Sequence, residues 1–351
     1  MRTPMRLASE VITHAETLLV RARGADGEEG WGEAASAPTM TGEVLPGMVA
    51  VVERHLAPTL AAAGTEPPVR ALMRMARSIR GNTGAKAAAE IAVLDLLARR
   101  AGLPFAALLG TKLRNEAPAL LMIGGGGPAA ALEAARAGWD AGYRHFKMKV
   151  GLAEPAEDAE AVQALRAALG PGAHLSADAN MAWTVPQALD FVRRLAAGQL
   201  DYLEQPVADD DLGGMAAVQA AAAFPLCLDE GLHGMEDIAR MAAGGAARGV
   251  GLKAIKLGGA LAVLQADACC AALGMAQTLA CKISESSVGA AATAQLACLL
   301  RDVGWGVSIT SGYLAEDPVL PRVLPQQGMV RPPPGPGLGV RPDPAWIADG
   351  R

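Results

Sequence analysis

The chain has 351 residues, of which 51% are hydrophobic and 19% are charged, and its formal net charge is −5. This length and apolar content predict a folded protein with a large core, and the acidic balance excludes the basic, aromatic-rich surface of a nucleic-acid-binding protein. The N-terminal stretch MRTPMRLASEVITHAETLLV lacks an apolar leader, and no later run is apolar enough to span a membrane, so we expect a cytoplasmic protein without membrane contact. The five cysteines lack CxxC spacing, which indicates small core residues and neither a zinc site nor a disulfide framework.

The N-terminal third predicts an α+β domain over residues 1–115. Residues 17–36 form a strand–turn–strand pattern, TLLVRAR, GADGEEG and WGEAAS. Helical periodicity follows at 43–63 and again at 84–101, where Gly102 ends the second helix.

From about residue 117 the pattern changes to short apolar segments that alternate with Ala-rich helices, which is typical of βα units around a parallel sheet. The predicted strands are ALLMIG, RHFKMKV, LSADAN, LDYLEQP, PLCLDE, GLKAIK, LACKISE and GVSITS. The predicted fold class is therefore α/β, a (β/α) barrel of the modified TIM type with seven to eight strands, over residues 116–312, beside the smaller domain. The Pro- and Gly-rich segment 313–351 is expected to return over the first domain without adding a strand.

Charged residues stand at the C-terminal ends of the second to the sixth predicted strands, about one βα unit apart. They are Lys147 with Lys149, then Asp178, Glu204, Asp229 and Lys253. Converging carboxylates repel one another unless a hard cation lies among them, and oxygen ligands suit Mg²⁺, with Mn²⁺ as an alternative. We therefore predict Asp178, Glu204 and Asp229 as metal ligands, with open positions for a substrate carboxylate.

The two outer lysines of this series form a predicted acid/base pair. In an eight-stranded barrel the second and sixth strands are diametrically opposed, so Lys149 and Lys253 approach a bound substrate from opposite faces. One of them can remove the proton α to the carboxylate, and the other can return it or assist a leaving group. Such a base needs a lysine pKa that falls toward neutrality, and burial, the cation and Lys147 all act in that direction.

These motifs match a known family. KMK, DAN, EQP, DE and GLKAIKLGG, together with GWGEA, SESSVG and GPGLGV, resemble the enolase superfamily, in particular the muconate-lactonizing subgroup of the mandelate racemase/muconate lactonizing enzyme family. The resemblance implies that residues 1–115 cap the barrel, that Lys149 and Lys253 are the bases, and that Lys147 contacts the substrate carboxylate. It also implies a small-molecule carboxylate substrate and a homo-oligomer.

Further residues are weaker candidates for substrate binding. Some follow the ligand strands, some belong to a lid loop, APTMTGE, and some follow the seventh strand. They are Asn180, Glu230, Lys256, Thr39, Met40, Thr41, Ser284, Glu285 and Ser286. The four-glycine run 124–127 is not followed by GK[ST], so it predicts a tight strand-to-helix turn in preference to a phosphate loop.

Two departures from the family pattern bear on function. Relatives begin with a strand and a long loop that have no counterpart before RLASEVITHAETLLV, so either the true start lies upstream or the capping domain lacks an edge strand and part of its lid. The eighth-strand region SITSGYLAEDPV lacks the DxD of relatives that epimerise dipeptides, which disfavours a dipeptide substrate.

Within the family, the sequence most resembles members of amino-acid catabolism that act on cyclic amino acids. The preferred hypothesis is a lyase that dehydrates cis-3-hydroxy-L-proline through an enolate. The alternatives are an isomerase that racemises or epimerises an amino-acid derivative, such as proline betaine or an N-acyl amino acid, and a catalytically silent binding paralogue.

Overall fold

A closed parallel barrel forms the larger part of the molecule. The computed structural model describes residues 1–6, 11–124 and 127–348. The barrel strands, in chain order, are β6 (Leu120–Ile123), β7 (His145–Lys149), β8 (His174–Asp178), β9 (Tyr202–Glu204), β10 (Leu226–Leu228), β11 (Gly249–Leu252), β12 (Ala276–Ala280) and β13 (Val307–Ser308). Each strand pairs in parallel with the next, and a bridge between Ala119 and Val307 joins the first strand to the last. The predicted fold class is confirmed.

Helices cover the outside of the barrel between successive strands, and their small apolar faces pack on it. They are α6 (Gly127–Asp140), α7 (Pro155–Leu169), α8 (Val185–Arg193), α9 (Leu212–Ala221), α10 (Met235–Ala243), the short α11 (Ala254–Leu257), α12 (Ala260–Leu273) and α13 (Ser287–Ala297). Within the described ranges, no helix has the length and apolar character needed to cross a membrane.

The capping domain consists of a hairpin packed on a long helix. Its strands are β1 (Met5–Arg6), β2 (Val11–Ile12), β3 (Thr17–Arg23) and β4 (Glu29–Ala35), and its helices are α1 (Leu45–Val51), α2 (Ala57–Ala61), α3 (Pro68–Arg77), α4 (Thr83–Arg100) and α5 (Phe105–Leu109), with a π-helical turn at Val52–Leu56 between α1 and α2. β1 pairs with β2 and β3 with β4, both antiparallel.

Glycines allow the β3–β4 hairpin to lie directly on α4. A Cβ atom at Gly32 would stand 2.0 Å from the carbonyl oxygen of Ala88, and one at Gly30 would stand 2.2 Å from that of Ala92. These distances are far below van der Waals contact, so only glycine fits here. The glycines of the GWGEA motif are therefore required by the close approach of β4 to α4.

The C-terminal segment differs from expectation in one respect. It adds a short strand, β14 (Met329–Val330), which pairs antiparallel with β5 (Ala117–Pro118), so the prediction that it adds no strand was wrong. Gln327 and Gly328 adopt positive φ and form the tight turn before β14, a local geometry that the Pro/Gly composition did not reveal. The segment then contacts α4, where Leu338 N–H donates to Asp95 (2.7 Å), and it ends in α14 (Pro344–Ala348).

Several predicted strands end earlier than the sequence pattern indicated, and two of them show the reason. In GLKAIK the strand stops at Leu252, and residues Ala254–Leu257 form a helical turn whose N-cap is Lys253. In LACKISE the strand stops at Ala280, and the rest is a loop. Apolar residues continue past both strand ends because the loops are also buried, so hydrophobicity did not mark the boundary. Of the four-glycine run, Gly125 and Gly126 lie outside the described residues.

Candidate active site

The C-terminal ends of the barrel strands surround a cavity beneath the capping domain. Ten residues singled out from the sequence line it: Lys147, Lys149, Asp178, Asn180, Glu204, Asp229, Glu230 and Lys253 from the barrel, and Thr39 and Met40 from the lid loop. Strand registration explains the convergence, because Lys149 is the ladder partner of Asp178, and Asp178 that of Glu204. Side chains in register on adjacent parallel strands are about 4.8 Å apart and point to the same face.

Three lysines each form an ion pair with one of the three carboxylates. The pairs are Lys147 Nζ with Glu204 Oε2 (2.5 Å), Lys149 Nζ with Asp178 Oδ2 (2.6 Å) and Lys253 Nζ with Asp229 Oδ2 (2.5 Å). The strands that carry Lys149 and Lys253, β7 and β11, are four positions apart in the eight-stranded order. The two lysines therefore stand on opposite sides of the cavity, with the carboxylates between them.

Burial and these ion pairs set the charge states of the site. Burial raises the pKa of Glu204 to about 7, and the nearby Asp178 and Asp229 contribute to the rise against the effect of Lys147. Burial also acts to raise the pKa of Asp178, but Lys149 and Lys147 hold it below its usual range. Because Glu204 and Asp178 each contact one lysine but their pKa values shift in opposite directions, burial and the balance of all nearby charges together decide how easily a carboxyl at this site is ionised.

The lysine pKa values differ from the sequence-based expectation. Burial lowers the pKa of Lys253, but Asp229 and Glu204 outweigh it and the pKa is raised. The pKa of Lys147 is likewise raised by Glu204 in spite of burial. The reason is that each ammonium contacts an anion, whereas the expectation assumed that the carboxylates face a cation.

Lys256 lies outside the cavity wall. Its Nζ donates to both Oδ1 and the backbone carbonyl of Asp229, each at 2.5 Å, from the first turn after β11. The side chain is fully buried. Lys256 therefore contacts Asp229 but does not line the cavity, so Lys256 does not lie where a substrate would bind.

Asn180 links the lysine on β7 to an acidic residue after β10. Its backbone adopts a left-handed conformation (φ 44°), in which its N–H donates to Asp178 Oδ1 (3.1 Å). Its side-chain oxygen accepts from Lys149 Nζ (2.8 Å), and its Nδ2 donates to Glu230 Oε1 (2.8 Å). The other oxygen of Glu230, Oε2, is buried and has no hydrogen-bond partner among the described residues. Burial and the charges of Asp229 and Asp178 raise the pKa of Glu230 to about 7.

The remaining candidates are divided between the cavity and its surroundings. Thr41 does not line the cavity, and its hydroxyl donates within the loop to Ala37 O (3.4 Å). Ser284 and Ser286 line a separate cavity beside the β3–β4 hairpin, and Glu285 lies behind the wall, where it accepts from Lys282 N (2.7 Å). Ser284, Glu285 and Ser286 thus belong to the loop after β12 but do not line the cavity at the strand ends, and Thr41 belongs to the lid loop.

Several cavity residues had not been singled out from the sequence. They are Met122, Met181, Ala280, Cys281, Lys282, Ile283, Ser308 and Thr310. Lys282 follows Ala280 by two positions, so strand alternation could have placed it on the inner face. Ile283 and Met122 pack with Ile12 and Met5, which no local pattern links to them.

The donor set fits a divalent cation. Asp178, Glu204 and Asp229 offer buried carboxylate oxygens on three successive strands, and Glu230 adds an oxygen without a partner. Oxygen donors in this number suit Mg²⁺ or Mn²⁺. Over residues 1–6, 11–124 and 127–348, no three His, Cys, Asp or Glu side chains stand close enough together to hold a metal ion. In this structure Asp178, Glu204 and Asp229 are each turned towards a lysine.

Comparisons with known proteins agree with this fold. Residues 130–346 match the enolase C-terminal domain-like family, and residues 1–110 match the N-terminal domain of mandelate racemase/muconate lactonizing enzymes. The chain belongs to the mandelate racemase/muconate lactonizing enzyme family of the enolase superfamily, as its motifs predicted. Members of this family are enzymes that use a divalent metal ion.

Particular relatives lie in the muconate-lactonizing branch. Muconate cycloisomerase 1 of Pseudomonas putida is 30% identical over 323 residues, which are 91% of this chain and 86% of the relative. The muconate lactonizing enzyme of Pseudomonas fluorescens, solved in complex with muconolactone, superposes with a TM-score of 0.91 over 99% of this chain and 94% of that one, at 30% identity. The 2-chloromuconate cycloisomerase of Rhodococcus opacus gives a TM-score of 0.90 at 28% identity, over 99% of this chain and 95% of that one.

Proposed function

We propose that this protein removes the proton α to the carboxylate of a small molecule, with Lys149 and Lys253 as opposed acid/base groups. The observation that carries the proposal is the position of these two lysines on β7 and β11, across the cavity from each other, with three buried carboxylates between them. A base on one face and an acid on the other can exchange the α-proton or complete a β-elimination.

We further propose that Asp178, Glu204 and Asp229 hold the cation, with Mg²⁺ as the first choice and Mn²⁺ as the alternative. A divalent cation there would supply positive charge to the substrate carboxylate and, beside the lysines, would lower their pKa values. Lys147, at the strand position before Lys149 on the same face, would orient the substrate carboxylate. Asn180 would fix the direction of the Lys149 ammonium through its 2.8 Å hydrogen bond.

The preferred reaction within this class is dehydration of a cyclic 3-hydroxy amino acid, cis-3-hydroxy-L-proline. After one lysine takes the α-proton, the electron pair of the broken C–H bond expels the β-hydroxyl, which leaves as water with a proton from the opposite lysine. Epimerisation of proline betaine or an N-acyl amino acid uses the same first step, followed by return of a proton to the other face.

Cycloisomerisation of a muconate is a second candidate, and the relatives named above favour it. It uses the same proton-transfer position, since the carbon that gains or loses the proton lies α to a carboxylate. Identity near 30% leaves the substrate open, because a few cavity residues decide it. We also propose that the protein is a homo-oligomer, as the family resemblance implies. Light scattering on the purified protein would test this.

The deciding experiment is proton NMR in D₂O with Mg²⁺, with cis-3-hydroxy-L-proline, proline betaine, an N-succinyl amino acid and cis,cis-muconate supplied separately. Loss of an α-proton signal with a retained carbon skeleton identifies an epimerase, and loss of the β-proton pattern identifies a dehydratase. New lactone signals identify a cycloisomerase. Mg²⁺-dependent thermal stabilisation without turnover of any substrate would favour the silent binding paralogue over the proposal.

A further inference from the structure

Asp229 differs from the other two proposed cation ligands in how its backbone is held. Asp178 and Glu204 are paired with each other in the ladder between β8 and β9. The ladders of β10 with its two neighbours extend no further than Leu228. Asp229 therefore lies just beyond the sheet, and the pairing of the strands does not by itself fix the direction of its carboxylate.

The side chain of Gln205 replaces the missing ladder contact. Gln205 N–H donates to Cys227 O (3.0 Å), so a continuing parallel ladder would bring Asp229 N–H to the backbone carbonyl of Gln205. The backbone of Gln205 is left-handed (φ 35°), and its carbonyl accepts from Met181 N–H (2.8 Å). Asp229 N–H donates to Gln205 Oε1 (3.0 Å) in place of that carbonyl. A side-chain oxygen thus takes over the role of the backbone acceptor.

The amide of Gln205 is fixed by further hydrogen bonds. Oε1 also accepts from Gly231 N–H (3.2 Å), and Nε2 donates to Val207 O (3.0 Å). Both partners of Oε1 are N–H donors and the partner of Nε2 is a carbonyl, so only this orientation of the amide satisfies all of them. The residue is 0% exposed. Gln205 therefore connects the segments after β8, β9 and β10, the three strands that bring the proposed ligands together.

Two lysines also contact Asp229, but a bound cation would compete with them. Lys253 Nζ and Lys256 Nζ contact the carboxylate oxygens themselves. Lys256 also contacts the backbone carbonyl of Asp229, which leaves its N–H to Gln205. A cation at the carboxylate does not compete for that N–H. Partners that orient a metal ligand typically affect metal affinity by about 10–100-fold.

We propose that Gln205 is a positioning residue of the cation site, whose Oε1 fixes the backbone from Asp229 to Gly231 and so directs the Asp229 carboxylate into the cavity. The ligand is a divalent cation, Mg²⁺ or Mn²⁺, held together with Asp178 and Glu204. This inference deepens the proposed function and rests on it for the assignment of Asp229 to the cation.

The chain offers a matched control in Gln219. This buried glutamine also uses both ends of its amide, since Oε1 accepts from Leu226 N–H (2.7 Å) and Nε2 donates to Phe224 O (3.1 Å). Its contacts lie at the opposite, N-terminal end of β10. Gln205→Met and Gln219→Met each remove an amide at similar volume, and each should lower the melting temperature because buried backbone groups lose their partners.

Calorimetric titration with Mg²⁺ alone separates positioning from stability. Gln205→Met should raise the Mg²⁺ dissociation constant about tenfold or more, whereas Gln219→Met should keep the wild-type value. Gln205→Glu retains an oxygen acceptor for the N–H groups of Asp229 and Gly231 and should restore most of the affinity. Titration with Mn²⁺, followed by electron paramagnetic resonance, should give the same order of the variants.

If Gln205→Met does not fold, Gln205→Asn takes its place, since its amide is one methylene shorter and lies too far from Asp229 N–H for a hydrogen bond. The proposal is wrong if the variant without the contact binds Mg²⁺ as tightly as the wild type. It is also wrong if Gln219→Met weakens binding to the same extent, or if Gln205→Glu binds as weakly as Gln205→Met.

Failure of the proposed function has a different signature. Asp229→Asn with the wild-type Mg²⁺ affinity would overturn the assignment of Asp229 to the cation, and the role of Gln205 with it. Mg²⁺ binding that depends on both Asp229 and Gln205, in a protein that exchanges no α-proton, supports the positioning role and refutes the proposed chemistry.

Discussion

Buried carboxylates occur in two regions of this protein, and their partners differ. At the C-terminal end of the barrel, Asp178 and Asp229 contact lysine ammonium groups, and those contacts hold both pKa values below the usual range although burial acts to raise them. At the boundary between the capping domain and the barrel, Glu33 and Glu90 accept hydrogen bonds from the first N–H groups of barrel helices. There burial dominates and raises both pKa values to about 7.

Glu33 and Glu90 join the capping domain to the barrel by hydrogen bonds. Glu33, on β4, accepts from Ser286 N (2.8 Å), Ser286 Oγ (2.7 Å) and Gly289 N (2.8 Å) at the start of α13. Glu90, on α4, accepts from Leu261 N (3.0 Å) at the start of α12. Helix N-termini have unpaired N–H groups and favour acidic partners, so each contact satisfies both sides.

The comparison shows that the partner of a buried carboxylate limits what that carboxylate can do. An oxygen paired to a lysine side chain can bind a cation or substrate when that side chain rotates to another rotamer. An oxygen bound by fixed backbone N–H groups cannot leave without exposing them. Active-site and structural carboxylates can therefore be told apart by their donors.

The largest expected effect comes from removal of either cavity lysine that serves as a base. Lys149→Ala and Lys253→Ala should each reduce α-proton exchange in D₂O by about 10²–10⁴-fold, because each removes a positioned proton-transfer group. Lys112→Ala, at an exposed site, is the control and should leave exchange unchanged. Full exchange in both cavity variants would refute the two-lysine mechanism.

The next effect concerns the cation. The wild-type protein should gain about 2.7 kcal/mol of stability when Mg²⁺ is present at one hundred times its dissociation constant, and Asp178→Asn should lose most of this gain. Melting temperature measured with and without Mg²⁺ tests this. Asp190→Asn, an exposed change on α8, should retain the wild-type response, and an equal response in Asp178→Asn would exclude Asp178 as a ligand.

At the boundary, Glu33→Ala should lower the free energy of unfolding by about 3 kcal/mol, because it leaves buried donors of α13 without acceptors. Urea titration gives this value directly. The exposed change Glu53→Ala should cost less than about 0.5 kcal/mol. Equal free energies of unfolding for the two variants would show that Glu33 does not stabilise the contact between the domains.

The last effect is a change in the pH dependence of stability. Burial and the neighbouring Glu33 raise the pKa of Glu285 to about 8, from an ordinary value of 4.5. Because its pKa in the folded state is raised, Glu285 contributes stability that is complete below about pH 4.5 and is lost as pH rises toward 8, by up to about 1.4 kcal/mol per unit. Glu285→Gln should flatten the plot of unfolding free energy between pH 5 and 8. Parallel plots for the two proteins would show that Glu285 is ionised throughout.

The barrel and its charged strand ends could be predicted because each is a local signal. Asp178, Glu204 and Asp229 interrupt apolar strands at the spacing of one βα unit, and that spacing fixes their side of the barrel. The ladder partnership of Lys149 with Asp178 follows from the same regularity.

The hydrogen bonds among the site residues could not be predicted, because they depend on backbone conformation outside helices and strands. Nothing local in the sequence links Asn180 to Glu230, and their contact requires the left-handed φ of Asn180. The conformation of the loop after β12 has the same kind of cause, since Ser284 adopts a positive φ and Thr310 Oγ1, from the loop after β13, donates to Lys282 O (2.9 Å). Hydrophobic patterning carries no information about such contacts.

The returning C-terminal segment limits how the cavity can open. The capping domain continues into the barrel through α5 and β5, and the far end of the barrel is tied back to α4 by Leu338 N–H on Asp95 (2.7 Å) and by Arg99 Nη2 on Val340 O (2.5 Å). A hinged rotation of the whole cap would break both attachments. The stem of the lid loop is also held, by Ala37 N–H on Glu43 O (3.0 Å). These attachments therefore restrain the cap as a whole, so the lid loop, whose Thr39 and Met40 line the cavity, sets the space above the strand ends.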